Sequence, residues 1–180
     1  RCCRRQRQMC IRDSYMRPSI RLASLMNLNS VYIFTHDSIY LGEDGPTHQP
    51  VEHLMSLRLI PGVDVVRPAN SIEVQYAYQY IFTKSNNPKS LVLTRQSLDY
   101  VETNLSYKKF QEGAYELIKG DDITIFASGS EVSLAIEVSK KLKNKSVQII
   151  STPILNQVNT DTLTNLKINE FVFTLSLIHI

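Results

Sequence analysis

Cysteine is nearly missing from this 180-residue chain: there are three, at positions 2, 3 and 10, and none between Tyr15 and Leu175. That excludes disulfides and thiol catalysis from the body of the chain and fits a reducing compartment, so a cytoplasmic location is expected. The three cysteines have no histidine near them and match no zinc spacing. No apolar run approaches the roughly 18 residues of a membrane-spanning helix. Nor does a short basic start precede an apolar stretch, as in a secretory signal. Also missing are an internal repeat, a Gly-x-x-x-x-Gly-Lys-Ser/Thr phosphate loop and a nucleophile elbow. At 43% hydrophobic the chain has ample material for a core, which excludes disorder.

A net charge of +3 suggests an affinity for anions until its position is considered. Residues 1–14 (RCCRRQRQMCIRDS) hold five of the ten arginines and one acid, leaving 15 basic against 16 acidic residues elsewhere. This segment resembles translated sequencing adapter more than protein, as does 176–180. Both ends, 1–14 and 176–180, are expected to be non-native. A nucleic-acid role rests on the first segment alone, so neither nucleic acid nor membrane is an expected partner.

Pro18 with Ile20, Leu22, Leu25, Met26 and Leu28 predicts a helix with an apolar stripe. A strand is expected at 31–34, then a long polar loop at 35–50, a helix at 51–59, a strand at 63–66, a helix at 71–83 and a strand at 91–93. The texture from 94 to 122 is polar and reads as a linker region that becomes ordered near Phe110. A second series follows: strand 123–127, a Ser-Gly-Ser turn, helix 131–143 with Leu134, Ile136, Val138 and Leu142 inward, and strand 147–151. A helix at 160–167 and a strand at 171–175 complete it. Strands alternating with helices predict an α/β fold, a parallel sheet with helices on both faces, followed by the start of a second three-layer α/β domain.

Ligands of parallel α/β sheets bind beyond the carboxyl ends of strands. Three groups follow predicted strands: His36 with Asp37, Arg67 with Asn70, and Arg95, and all are expected on one rim. His36 and Arg95 suit a phosphate, since a guanidinium grips two oxygens and an imidazole adds a donor. The alternatives are a structural histidine and an ion pair of Arg95 with Asp99 or Glu102. In Gly42-Glu43-Asp44-Gly45-Pro46-Thr47-His48-Gln49-Pro50, two glycines bracket two carboxylates and two prolines stiffen the rest. Asp44 and His48 would then be held for sugar hydroxyls or proton transfer, unless the stretch is an acidic turn preceding the helix. His53 and the tyrosines 76, 78 and 80 read as packing residues. The Ser128-Gly129-Ser130 turn reads as a tight strand-to-helix connection, with anion binding at the helix start as the weaker alternative.

Thr35-His36-Asp37-Ser38, the run from Gly42 to Glu52, Ser56-Leu57-Arg58, Arg67-Pro68 and Thr94-Arg95-Gln96 resemble transketolase, in that order. The likeness extends from Tyr15-Met16-Arg17-Pro18 to Thr152-Pro153. It implies transfer of a two-carbon ketol unit between sugar phosphates in the pentose phosphate pathway, with thiamine diphosphate and a divalent ion, Mg or Ca, as cofactors. By the same resemblance Tyr15 packs on the cofactor's aminopyrimidine ring. His36 and Arg95 bind the substrate phosphate, Asp44 and His48 contact sugar hydroxyls, and His48 assists proton transfer. The implied domains are 15–102, part of the pyrimidine-binding domain; 103–115, a linker; and 116–175, part of the C-terminal domain. In the family the active site forms between two subunits of a homodimer. The cofactor-activating glutamate and the metal-binding domain lie upstream of the matched region, so the 180 residues alone are expected to be inactive. Tyr40 departs from the family's glycine in Ser-Ile-Gly-Leu-Gly. Dihydroxyacetone synthase, another thiamine diphosphate enzyme, and a non-catalytic interaction module derived from one remain as alternatives.

Overall fold

An extended Val31-Tyr32-Ile33-Phe34 carries apolar side chains on both faces, so it is stable only within a sheet covered on both sides. The computed structural model, which describes residues 5–8, 16–43, 45, 48–83, 86–169 and 171–174, places it in that setting. Strand β2 (Val31–Thr35) lies between β1 (Arg5–Gln8) and β4 (Lys89–Leu93), and β3 (Asp64–Val66) pairs with β4. The four are parallel in the order β1-β2-β4-β3. Val31, Phe34, Val65, Val66, Leu91 and Val92 are all buried.

Helices α1 (Met16–Leu25), α2 (His53–Arg58) and α3 (Ser71–Thr83) accompany this sheet along the chain. In α1 the inward residues are Ile20 and Ala23, three apart and on one face, whereas Leu22, Leu25 and Met26 of the expected stripe are exposed, Leu25 at 72%. His53 is buried, as are Leu54 and Leu57. The three tyrosines of α3 spread around it: Tyr80 is buried and donates to Asp64 Oδ2 at 2.9 Å, while Tyr78 stacks on Phe82 in an exposed position. Asp64 stands opposite Lys89 on the neighbouring strand. The Lys89 ammonium, on a fully buried residue, donates to Asn29 Oδ1 at 2.9 Å and to the Asn87 carbonyl at 2.7 Å.

The chain divides into two units, the first made of the described residues through Val66 with Ala77–Ser97, the second of Arg67–Tyr76 and the described residues from Leu98 on. The second unit contains β5 (Tyr115–Ile118), β6 (Ile123–Ala127), β7 (Val147–Ser151) and β8 (Phe171–Thr174) in the order β5-β7-β6-β8. It also holds α4 (Tyr107–Gln111), α5 (Glu131–Lys141) and α6 (Thr160–Asn165). Within the polar stretch 94–122, regular structure begins with α4, next to Phe110. Ser106 caps α4 by accepting the Lys109 N–H, and Phe110 from that one-turn helix is fully buried.

This second sheet is mixed, with β5 antiparallel to β7. The cause is the link from β5 to β6, residues 119–122, which is far shorter than the dozen or more residues a parallel crossover needs. The chain must run out along β5, pass the start of β7 and return along β6. A Cβ on Gly120 would stand 2.2 Å from the Val147 carbonyl carbon and 2.3 Å from the Gln148 nitrogen, so the passage admits only glycine. Helix α5 buries Val132 and Ala135, with Ile136 and Val138 at the margin of the core, and Leu142 is left exposed. The inward face is set by the short side chains that approach the sheet most closely.

Candidate functional site

β2 and β4 run side by side in the same direction, and their last paired residues are Thr35 and Leu93. His36 is the next residue after β2, and Arg95 lies two beyond β4. With neighbouring strands about 4.8 Å apart, an imidazole and a guanidinium thus leave adjacent strand ends on one rim of the first unit. Arg95 is exposed and His36 half-buried. Beside Arg95, the Thr94 hydroxyl and the Gln96 side-chain oxygen form a short hydrogen bond.

The backbone of His36 is left-handed, with φ of 67°. Its Nδ1 lies 2.8 Å from Thr35 Oγ1. Asp37 and Ser38 are buried, and the Ser38 hydroxyl accepts the Tyr40 N–H at 3.4 Å, capping a single 3-10 turn at Ile39–Leu41. Tyr40 takes right-handed backbone within that turn, so nothing there requires the family's glycine.

The loop then folds on itself. The Ile39 carbonyl accepts the Gly42 N–H at 3.3 Å and the Gln49 side-chain amide at 3.1 Å. The Gly45 carbonyl accepts the N–H groups of His48 and Gln49 at 3.0 and 3.2 Å. Gly42 and Gly45 have φ of 81° and 73°, values that a side chain would strain. His48 is therefore a half-buried imidazole on a loop fastened to its own start. Asp44 and Tyr15 lie outside the described residues.

Arg67 and Asn70 do not share the rim's role. Arg67 is 1% exposed, and its guanidinium grips both carboxylate oxygens of Glu131, with Nη2 donating to Oε1 at 3.0 Å. It also donates to the Ser128 carbonyl, the Ser128 hydroxyl and the Ser130 hydroxyl. The Ser-Gly-Ser turn thus packs against a guanidinium whose charge the Glu131 carboxylate already balances. Gly129, at φ of 56°, has no room for a side chain, because a Cβ would lie 2.7 Å from Arg67 Nε. Asn70 accepts the Glu73 N–H at 2.9 Å and caps α3.

A second buried cluster in the same unit has no counterpart in the sequence reading. Glu73, fully buried, accepts from the Tyr115 hydroxyl at 2.7 Å, the Ser151 hydroxyl at 2.6 Å and the Ala69 N–H at 2.7 Å. Burial pushes its carboxyl above the usual range, against the pull of those three donors. Burial and the adjacent Glu73 carboxyl likewise push the Tyr115 hydroxyl upward. Glu73 at the third helical position is legible as a capping residue, but its long-range partners are not. Among the described residues no group of three or more His, Cys, Asp or Glu side chains is placed to hold a metal ion, and no described helix is long and apolar enough to cross a membrane.

A family model described as the transketolase pyrimidine-binding domain matches residues 9–100. The transketolase of Mycobacterium leprae is 46% identical over 152 residues, which cover 78% of this chain and 22% of that protein. The crystal structure of a Pichia stipitis transketolase variant complexed with fructose 6-phosphate matches with a TM-score of 0.87 at 34% identity, covering 96% of this chain and 26% of that one. The Campylobacter jejuni transketolase matches with a TM-score of 0.85 at 33% identity over 94% of this chain and 28% of its own. The chain thus spans between a fifth and a third of the length of these relatives, and by the family match over half its residues it belongs to the transketolase pyrimidine-binding domain family.

Proposed function

We propose that this chain is part of a transketolase and supplies the substrate-phosphate wall of its active site. The reaction is transfer of a two-carbon ketol unit from a ketose phosphate to an aldose phosphate, a step of the pentose phosphate pathway in the cytoplasm. Residues 15–102 form the second half of a pyrimidine-binding domain, 103–115 a linker and 116–175 the start of a C-terminal domain. The observation that carries this reading is the emergence of His36 and Arg95 from the adjacent parallel strands β2 and β4 at one rim. A guanidinium beside an imidazole offers a phosphate one bidentate and one single donor.

Thiamine diphosphate, with a Mg or Ca ion, would supply an electron sink for the transfer when bound. The diphosphate and metal ligands belong to residues beyond these 180, in the same or a partner subunit of a homodimer. Here Tyr15 offers the cofactor's pyrimidine an aromatic face. His36 and Arg95 hold the phosphate end of the sugar. Asp44 and His48 bind its hydroxyls, and His48 gives or takes a proton near the reacting carbons.

The test is Arg95→Ala in the full-length enzyme. A lost hydrogen-bonded charge pair with phosphate is worth about 1.5–3 kcal/mol, roughly a ten- to hundredfold rise in KM for phosphorylated substrates. Unphosphorylated acceptors should be used as before. An equal loss on both kinds of substrate sinks the assignment, and a preference of the wild-type full-length enzyme for formaldehyde over ribose 5-phosphate moves it to dihydroxyacetone synthase.

A further inference from the structure

A buried sheet face is ordinarily apolar, because a polar group placed there costs stability unless it is paired. The second sheet departs from this on the face opposite to Ile125 and Ile149, where a polar row crosses three strands. Thr124 on β6, fully buried, accepts the Asn169 N–H at 3.0 Å and donates its hydroxyl to Gln148 Oε1 at 2.6 Å. Gln148 on β7, 1% exposed, donates through Nε2 to Glu116 Oε2 on β5 at 2.6 Å. A carboxylate only accepts, so the amide turns its nitrogen to Glu116 and its oxygen to the Thr124 hydroxyl. The row ends there on a half-buried carboxylate, and among the described residues nothing pairs with its other oxygen, Oε1.

Glu116 and Gln148 line a cavity of about 820 Å³ within the second unit, inside the span of roughly 300–1,000 Å³ usual for small-molecule sites. Its walls are fastened by the chain itself. Asn169 Nδ2 donates to the Gly120 carbonyl at 3.1 Å, which ties the segment before β8 to the β5–β6 turn. Across the cavity, the Asn159 N–H donates to the Glu112 carbonyl at 2.9 Å and the Thr162 hydroxyl to Glu112 Oε2 at 3.3 Å, which ties α6 to the end of α4. Only Ala114, Leu166 and Tyr115 offer apolar surface, and the Tyr115 hydroxyl is spent on Glu73, so a hydrocarbon or a planar base finds little to bury against. Beside Glu116 stand the ammonium groups of Lys109 and Lys119, neither of which pairs with a described carboxylate. Asp121 and Asp161 line the same space, and their charge disfavours a bare anion. Carboxylates and amides instead suit hydroxyl groups, which donate and accept at once.

From this geometry we infer that the cavity is a second small-molecule site, separate from the rim of His36 and Arg95, for a polyhydroxylated ligand that carries one anionic group. Glu116 Oε1, aimed by the Thr124–Gln148 row, accepts from the ligand's hydroxyls, and Lys109 and Lys119 meet its charge. A row buried across the sheet floor holds the carboxylate in place before the ligand arrives, so little ordering is charged against binding.

The experiment is saturation-transfer NMR on the full-length enzyme, with gluconate as the probe and glucitol as the same carbon chain without the charge. Gluconate should saturate with a dissociation constant on the order of 1 mM, the affinity expected of a ligand of its size. Glucitol should bind about fivefold more weakly, and Lys119→Gln should bring gluconate down to the level of glucitol. Glu116→Gln should weaken both about tenfold, the worth of hydrogen bonds to a charged group. Arg95→Ala should leave gluconate within about twofold of wild type, since additivity holds between separate sites. Glucitol 6-phosphate, compared with gluconate, then decides whether the anionic group is a phosphate or a carboxylate. Transfer that does not saturate, gluconate binding unmoved by Glu116→Gln, or binding abolished by Arg95→Ala overturns the inference. Lys119 is exposed, so Lys119→Gln decides the matter if Glu116→Gln fails to fold: equal affinity for gluconate in that variant and in wild type overturns the inference as well.

Discussion

Arg67 and Glu131, 64 residues apart in the chain, form a two-pronged ion pair sealed from water. Neither partner tolerates loss of the other, because removing one side leaves a buried charge without compensation, at a cost of about 3–5 kcal/mol. Glu131→Gln should lower the unfolding free energy by that order in urea melts. A loss below about 1 kcal/mol would mean that water reaches the guanidinium.

Gly129 sits against the same guanidinium. Gly129→Ala places a methyl group at left-handed φ and within 3 Å of Arg67 atoms that five hydrogen bonds hold in place. The expected loss is about 2 kcal/mol or more. In a Glu131→Gln background Arg67 can give way, so the two effects should sum to less than their separate values. Strict additivity in the double-mutant cycle would refute the shared cause.

Glu73 makes stability depend on pH in a defined direction. Its carboxyl is raised by burial, so the folded chain keeps a proton over a range where the unfolded chain has lost it. The associated stability is complete below the ordinary value of 4.5 and falls as pH rises through the folded value. Glu73→Gln, neutral throughout, should flatten the profile above pH 4.5, so that wild type loses ground to the variant as pH rises from there. Wild type gaining on the variant over that range would show that the donors from Tyr115, Ser151 and Ala69 outweigh burial.

The Gln49 amide ties the loop that bears His48 to the Ile39 turn. Gln49→Ala should cost only about 0.5–1.5 kcal/mol of global stability. Its larger effect should be local, with faster amide exchange at Gly42 and His48 than at the strand amides of Val92. Unchanged protection at those two positions would show that Gly42 and Gly45 suffice to hold the loop.

Periodicity and capping locate most of the architecture, and the exceptions share a cause. α3 runs from Ser71 to Thr83 as expected because Asn70 and Glu73 mark its start within three residues of each other. α4 and β5 escaped because they are one turn and four residues long, and a polar surround hides segments too short to show a period. On α1 the stripe of leucines misled because an apolar residue need not be inward, and Ile20 and Ala23 alone are buried. The rim position of His36 and Arg95 was legible because it follows from strand direction alone. Arg67, at an equivalent place after β3, was misread because its partner Glu131 is remote in the chain, and a pairing over that separation leaves no local pattern.

The Ile39 carbonyl, which receives both the Gly42 N–H and the Gln49 amide, closes a segment of about ten residues before any ligand arrives. Ordering one residue of backbone opposes association by about 1–2 kcal/mol when it happens on binding. Because the contacts of Ile39 with Gly42 and Gln49 form during folding, the ordering of those residues is not subtracted from the affinity for a ligand. Gly42 and Gln49 should therefore keep their places when a ligand arrives, and their amide signals should shift in a single kinetic phase with it.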